Sequence, residues 1–124
     1  MKIEVPDGDV VDRITILELK RRHLADPAKR AHVETELAAL HFAWSEQTEL
    51  AFEAVPGLPR LREVNAELWD VEDALRALER AADFGPRFVA LARSVYGLND
   101  ERARIKAAIS EYTGSLLREQ KGYV

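Results

Sequence analysis

Residues 61–79, "LREVNAELWDVEDALRALE", decide the fold. Leu61, Val64, Leu68, Val71, Leu75 and Leu78 recur at helical spacing and make the longest apolar stripe in the chain, with no glycine or proline to interrupt it. Pro59 suits the first turn of this helix, which ends near Asp83. Working back, "VPGLP" (residues 55–59) stops an earlier helix whose stripe is Val33, Leu37, Leu40, Trp44 and Ala51. Asp26 can cap that helix and Pro27 can occupy its first position. Before it, Val10, Ile14, Leu17 and Leu24 mark a first helix running from Asp9 to "ADP" at residues 25–27. Working forward, "DFGP" (83–86) is a turn, and Phe88, Leu91, Val95, Leu98, Ile105 and Ile109 mark a fourth helix. Gly97 inside it costs about 1 kcal/mol against alanine, which suggests a close approach of a neighbour. Residues 1–8 form a short extended arm, alternating polar and apolar over 2–5, and a glycine stop at Gly114 leaves 115–124 as a tail. Short links make consecutive helices antiparallel neighbours. The expectation is a single helical domain over residues 1–124: all-α, an antiparallel helical-hairpin bundle of about four helices.

The bulk properties exclude several classes. The chain has 124 residues, 47% of them apolar, enough for one modest core. A net charge of -4 offers no general attraction for nucleic-acid phosphates or anionic lipid, so neither nucleic acid nor membrane is an expected partner. No cysteine is present, which removes disulfides, thiol nucleophiles and thiolate metal sites and fits a reducing compartment. No window approaches eighteen uncharged apolar residues, and "MKIEVPDGDV" is not a secretory start. A cytoplasmic protein is expected. Residues 20–30, "KRRHLADPAKR", are locally basic but lack interleaved aromatics and read as a solvated helix end.

Helix one is apolar on two sides. At about 100° per residue, Val10, Ile14, Leu17 and Leu24 share one side while Ile16 and Leu19 fall roughly opposite. Trp69 likewise stands off the main stripe of helix three, on a second stripe with Asn65, Glu72 and Arg76. Ile16, Leu19 and Trp69 are therefore interface candidates, either for a second contact within the chain or for a homodimer.

The acids of residues 67–79 invite a metal reading. Asp70 and Asp73 point away from the stripe and read as a solvated face. Glu67 and Glu72 flank it on opposite sides, each about 70° from its centre, and cannot converge on one ion from one helix. A two-helix site built from Glu46, Glu49, Glu67 and Asp70 has the outline of magnesium-dependent nucleotide pyrophosphohydrolases, but Asp70 points the wrong way. No metal or cofactor is assigned. His23, His32 and His41 show no ligand spacing, and the serines stand in no histidine–acid nucleophile context.

Helix four carries the sharper signal. Arg102 lies on the centre line of its apolar stripe, with Asn99 and Lys106 beside it. A buried cation requires a partner, and Glu72, bordering the core on the preceding helix, is the expected one. The other reading is an anion pocket in which Arg102, Lys106 and Asn99, with Arg13 or Arg21, hold a carboxylate or phosphate.

"DRITILELK" (12–20), "ELWDVEDALRALE" (67–79), "DFGPRFVALARSVYGLNDERARIKAAI" (83–109) and "GSLLREQKGY" (114–123) together resemble the bacterial family known as domain of unknown function 6165. The resemblance covers nearly the whole chain. It implies a small cytoplasmic helical protein, sometimes associated with glycosyltransferase or surface-polysaccharide genes, with no catalytic set to carry over. The reading reached from residues and resemblance together is an interaction or assembly protein, expected as a homodimer and open to another protein partner, with a small-anion site or a magnesium-dependent nucleotide pyrophosphohydrolase as alternatives.

Overall fold

A computed structural model describes residues 1 and 3–120, with side chains through Gly114. It contains α1 (Asp7–His23), α2 (Pro27–Gln47), a single 3-10 turn (Phe52–Ala54), α3 (Leu58–Arg80) and α4 (Pro86–Gln120). The described residues include no strand, and no described helix is long and apolar enough to cross a membrane. The protein is an all-α helical bundle.

Local chemistry sets the ends. The Asp26 side chain accepts a hydrogen bond from the Ala28 amide at 2.9 Å, and Pro27 occupies the first turn of α2, where no amide partner is needed. Gly57 sits at φ +85°, in the left-handed region, and turns the chain into α3. The α3–α4 turn uses Ala82 at φ +53°, closed by hydrogen bonds from the Ala82 amide to the Glu79 carbonyl and from Asp83 to Leu78. That is a glycine's usual place, filled here by an alanine.

Helix α1 packs against all three other helices. Contacts of Asp7 with Gln47 and of Arg13 with Glu36 show α1 and α2 running antiparallel. Arg60 with Glu101, and Gly57 against Ile105, show the same for α3 and α4. Gly8 meets Lys106 and Ser110, and Asp12 meets Arg102, so α4 is antiparallel to α1 as well. Val11, Ile14 and Leu17 of α1 join Val33, Leu37 and Trp44 of α2, Phe52, Val55, Leu58 and Leu61, and Ile109 of α4 in the core. The Trp44 indole donates to the Leu50 carbonyl at 2.8 Å and meets Phe52 edge-on, which pins the loop between α2 and α3 onto the core.

Several expectations need correction. α1 starts at Asp7, so the arm is shorter than residues 1–8, and its Ile3 and Val5 are exposed. α2 ends at Gln47, before Ala51. α2 packs chiefly on α1, and α3 on α4, the two expected hairpins, while α1 also packs on α4 and α3. Nothing approaches Gly97 within 4 Å, whereas a Cβ on Gly8 would lie 2.0 Å from the Lys106 carbonyl oxygen. The close approach is therefore at the start of α1, where the Gly8 amide also donates to Ser110 Oγ at 2.8 Å. Helix α4 runs through Gly114, the expected stop, to Gln120; residues 121–124 of the expected tail lie outside the described residues.

Length then shapes the molecule. At about 1.5 Å per residue, the 35-residue α4 reaches about 50 Å, against about 25 Å for the 17-residue α1. Leu61, Val64, Leu68, Val71, Leu75 and Leu78 of α3, and Phe88, Leu91, Val95, Leu98, Arg102, Ile105 and Ile109 of α4, alternate steps of three and four. One end of this hairpin is sealed by α1. Beyond it, across residues 66–108, no residue is fully buried.

Candidate functional site

The site lies where the α3–α4 hairpin leaves the cover of α1. α1 carries two stripes: Val10, Ile14 and Leu17 enter the core, while Asp12, Ile16, Leu19 and His23 form a second row at helical spacing. α3 offers its own second row, Asn65, Trp69, Glu72 and Arg76. The two rows meet, and like finds like. Asp12 meets Asn65, Ile16 and Leu19 share a cavity wall with Trp69, and His23 stacks on Trp69 with ring centroids 4.6 Å apart.

Asp12 is the centre of the polar part, its side chain only 6% exposed. Arg102 donates to it twice, Nε to Oδ1 at 2.9 Å and Nη2 to Oδ2 at 2.6 Å. Asn65 Nδ2 donates to Asp12 Oδ1 at 2.9 Å and to Thr15 Oγ1 at 2.8 Å, while the Thr15 hydroxyl donates to the Asp12 carbonyl at 2.7 Å. Lys106 Nζ stands 3.9 Å from Asp12 Oδ2 and 3.1 Å from Asp9 Oδ1. Burial is the largest influence on the Asp12 carboxyl and pushes its pKa up. The hydrogen bonds from Arg102 and Asn65 and the charges of Arg102 and Lys106 outweigh it, so the group is held below the ordinary carboxylate range. The same pair raises Arg102, whose hydrogen bond to Asp12 exceeds its own desolvation. Three helices are thus tied through one carboxylate.

Above this knot opens a cavity of about 350 Å³, lined by Ile16, Leu19, Leu68 and Trp69 on its apolar side and by Asn65, Glu72, Asp73, Arg76, Asn99 and Arg102 on its polar side. Two of the three Arg102 nitrogens are committed to Asp12, and Nη1 makes no hydrogen bond among the described residues. The pocket is of ligand size; its Arg102 guanidinium is already neutralised bidentately, while Arg76 makes no ion pair among the described residues.

The expected residues are therefore distributed as follows. Arg102, Asn99 and Glu72 share the cavity with all three interface candidates, Ile16, Leu19 and Trp69. Glu72 is exposed and is not the partner of Arg102; Asp12 is. Lys106 faces a shallower depression with Pro6, Asp9 and Ser110. Arg13 is exposed and bonds Glu36, its Nε donating at 2.8 Å, away from the others. Among the described residues no three histidine or acidic side chains converge as metal ligands, so Glu46, Glu49, Glu67 and Asp70 are not brought together. Asp12 and Asn65 were passed over in the sequence. One helical turn back from Ile16 on the second row of α1 leads straight to Asp12, which was the available signal.

The whole chain, residues 1–124, matches the model of a family of unknown function, DUF6165. The chain belongs to that family. No curated protein and no solved structure matches it. In this DUF6165 protein Asp12 and Thr15 of "DRITILELK" form the knot and Ile16 and Leu19 line the cavity, and Asn99 and Arg102 of the "NDER" segment meet them from α4.

Proposed function

We propose that the chain is a non-enzymatic assembly module that forms a homodimer through the α3–α4 hairpin and the mouth of the cavity beneath it. The observation that carries this reading is the absence of any buried residue across 66–108, a stretch holding Leu68, Trp69, Val71, Leu75, Leu78, Phe88, Leu91, Val95 and Leu98. A second hairpin laid against the first gives a four-helix arrangement that covers such residues, and a two-fold axis presents each surface to its own copy. Charge favours the same copy. Residues 70–80 of α3 carry Asp70, Glu72, Asp73 and Glu79 against Arg76 and Arg80, while residues 86–98 of α4 carry Arg87 and Arg93 and no acid. Each helix of one hairpin then faces the opposite sign on the other. Val89 and Tyr96, 43% and 75% exposed and seven residues apart on α4, extend the apolar surface outward from the cavity.

Catalysis finds less support, because the one strongly buried carboxylate among the described residues is consumed by Arg102 and Asn65. A cytoplasmic setting, and the surface-polysaccharide context implied by the resemblance, suit an accessory protein that assembles rather than reacts. Sedimentation velocity at micromolar protein tests the proposal. The expected result is twice the 14.0 kDa chain mass, reverting to one chain with Tyr96→Glu, a change at an exposed position that leaves the helical fold intact. A strictly monomeric parent protein overturns it.

A further inference from the structure

A second cavity, about 640 Å³, lies between α1, the start of α2 and α3, and its wall holds Arg21, Arg22, Arg30, Arg62, Glu18 and Glu63. Both acids are already engaged. Glu18 accepts from Arg62 Nε at 3.1 Å and from its Nη2 at 3.0 Å, and Glu63 accepts from Arg60 Nη1 at 3.0 Å. Arg62 is further matched by Glu53, with both Nη groups at 2.7 Å, and its pKa is raised by these hydrogen bonds to Glu53 and then Glu18. What remains uncompensated is Arg21, Arg22 and Arg30, which make no ion pair among the described residues.

We infer that this cleft binds a small phosphorylated molecule. Three guanidinium groups from two helices border one concavity, and the planar fork of arginine matches phosphate oxygens in pairs. The overall charge of -4 does not cancel them, since charges more than about 8–10 Å away are screened at ordinary ionic strength. The C-terminus of α1 contributes about half a negative charge, which the N-terminus of α2 offsets at similar size. The four arginines of the lining outnumber its two acids, Glu18 and Glu63, so the charge of the wall itself is positive. The volume falls inside the range of about 300–1,000 Å³ typical of ligand sites. No aromatic ring lines the wall, so a single-stranded nucleic acid has no stacking platform there. A sugar-phosphate-sized anion is the better match, its phosphate held by Arg21, Arg22 and Arg30 and its body resting on Leu19 and Ala66. This site is distinct from Arg102, and it does not depend on dimerisation.

The test is calorimetric titration of the full chain with inorganic pyrophosphate and, separately, glucose 1-phosphate at low ionic strength. Saturable binding at one site per chain is expected, weakening as salt is added. The Arg22→Ala/Arg30→Ala double variant should bind about tenfold more weakly or worse, from loss of charge-assisted hydrogen bonds. Arg104→Ala, on exposed α4, should bind as the parent does. Because the altered side chains are exposed or half-exposed, unchanged circular dichroism melting confirms that the fold persists. Absence of heat with both ligands, undiminished affinity in the double variant, or binding confined to phosphatidylglycerol vesicles or an oligonucleotide would each overturn the inference.

Discussion

Replacing Arg102 with leucine removes both guanidinium hydrogen bonds to Asp12, at 2.9 and 2.6 Å, and leaves a carboxylate whose side chain is 6% exposed. Breaking a buried pair on one side costs about 3–5 kcal/mol, because the remaining charge is stranded. Lys106 at 3.9 Å and the Asn65 amide soften this, which places the loss near the lower bound, about 3 kcal/mol. In a domain of this length that is a melting shift of about 10 °C. The pH dependence gives the reasoning its sharper edge. In the parent, Asp12 is held below its unfolded pKa, so its contribution is present above about pH 4 and is lost as pH falls through the folded value. In the variant, burial remains while the Arg102 hydrogen bonds and charge vanish, so the folded pKa rises from its value in the parent and ionised Asp12 stabilises the fold less. The gap between the two proteins is therefore widest at neutral pH and narrows in acid. Urea unfolding followed by circular dichroism at pH 7 and pH 4, at fixed protein concentration, measures both. The double variant Asp12→Leu/Arg102→Leu should recover at least about 1 kcal/mol of the single loss, since apolar replacement of a whole buried pair is often neutral. A single-variant loss under about 1 kcal/mol at pH 7, or an equal loss at both pH values, would refute the account of Asp12 as a buried, satisfied anion.

Gly8→Ala should destabilise by about 1–3 kcal/mol in the same urea assay, because its Cβ would meet the Lys106 carbonyl oxygen at 2.0 Å, and backbone must move. Gly97→Ala should do the reverse, raising stability by up to about 1 kcal/mol, since nothing lies within 4 Å and alanine is the better helix former. Ala82→Gly should also stabilise, by up to about 1 kcal/mol, by relieving the left-handed backbone at φ +53°. A melting temperature that moves the other way in either of the last two would count against the local geometry described for α4 and its turn.

The elements were legible because each rests on local chemistry: Asp26 and Pro27 at the head of α2, and apolar repeats that hold one face along α3 and α4. The stop assigned to Gly114 failed for the converse reason. A glycine ends a helix only where the chain needs a left-handed residue, and α4 continues through it. The close approach expected at Gly97 occurs at Gly8 instead, because it depends on which helix lies alongside, a fact with no trace in the local repeat. The partner of Arg102 was misassigned in the same way. A helical wheel gives the direction of a side chain within its own helix, not the rotation of that helix against the next. Proximity in sequence favoured α3 and Glu72, yet the carboxylate that answers Arg102 comes from α1, ninety residues away.

That answer also explains why a cation is tolerated on an apolar seam. Residues spaced by three and four in α3 and α4 repeat every seven, so the apolar matches alone would be satisfied again if one helix slid by a heptad. Arg102 breaks that degeneracy. Only one register sets it beside Asp12 while Asn65 donates to the same carboxylate: a slip of α4 against α1 strands a charge, and a slip of α3 removes the Asn65 donor. The knot sits at the level where α1 stops sealing the hairpin, with Ile109 buried on one side of it and the half-covered Leu98, Val95 and Leu91 on the other. A weakly covered hairpin has little packing of its own to hold its register. Fixing it at the base, with this knot and the Arg60–Glu101 pair that joins α3 to α4 directly, delivers the exposed half of α3 and α4 as a defined surface rather than a sliding pair.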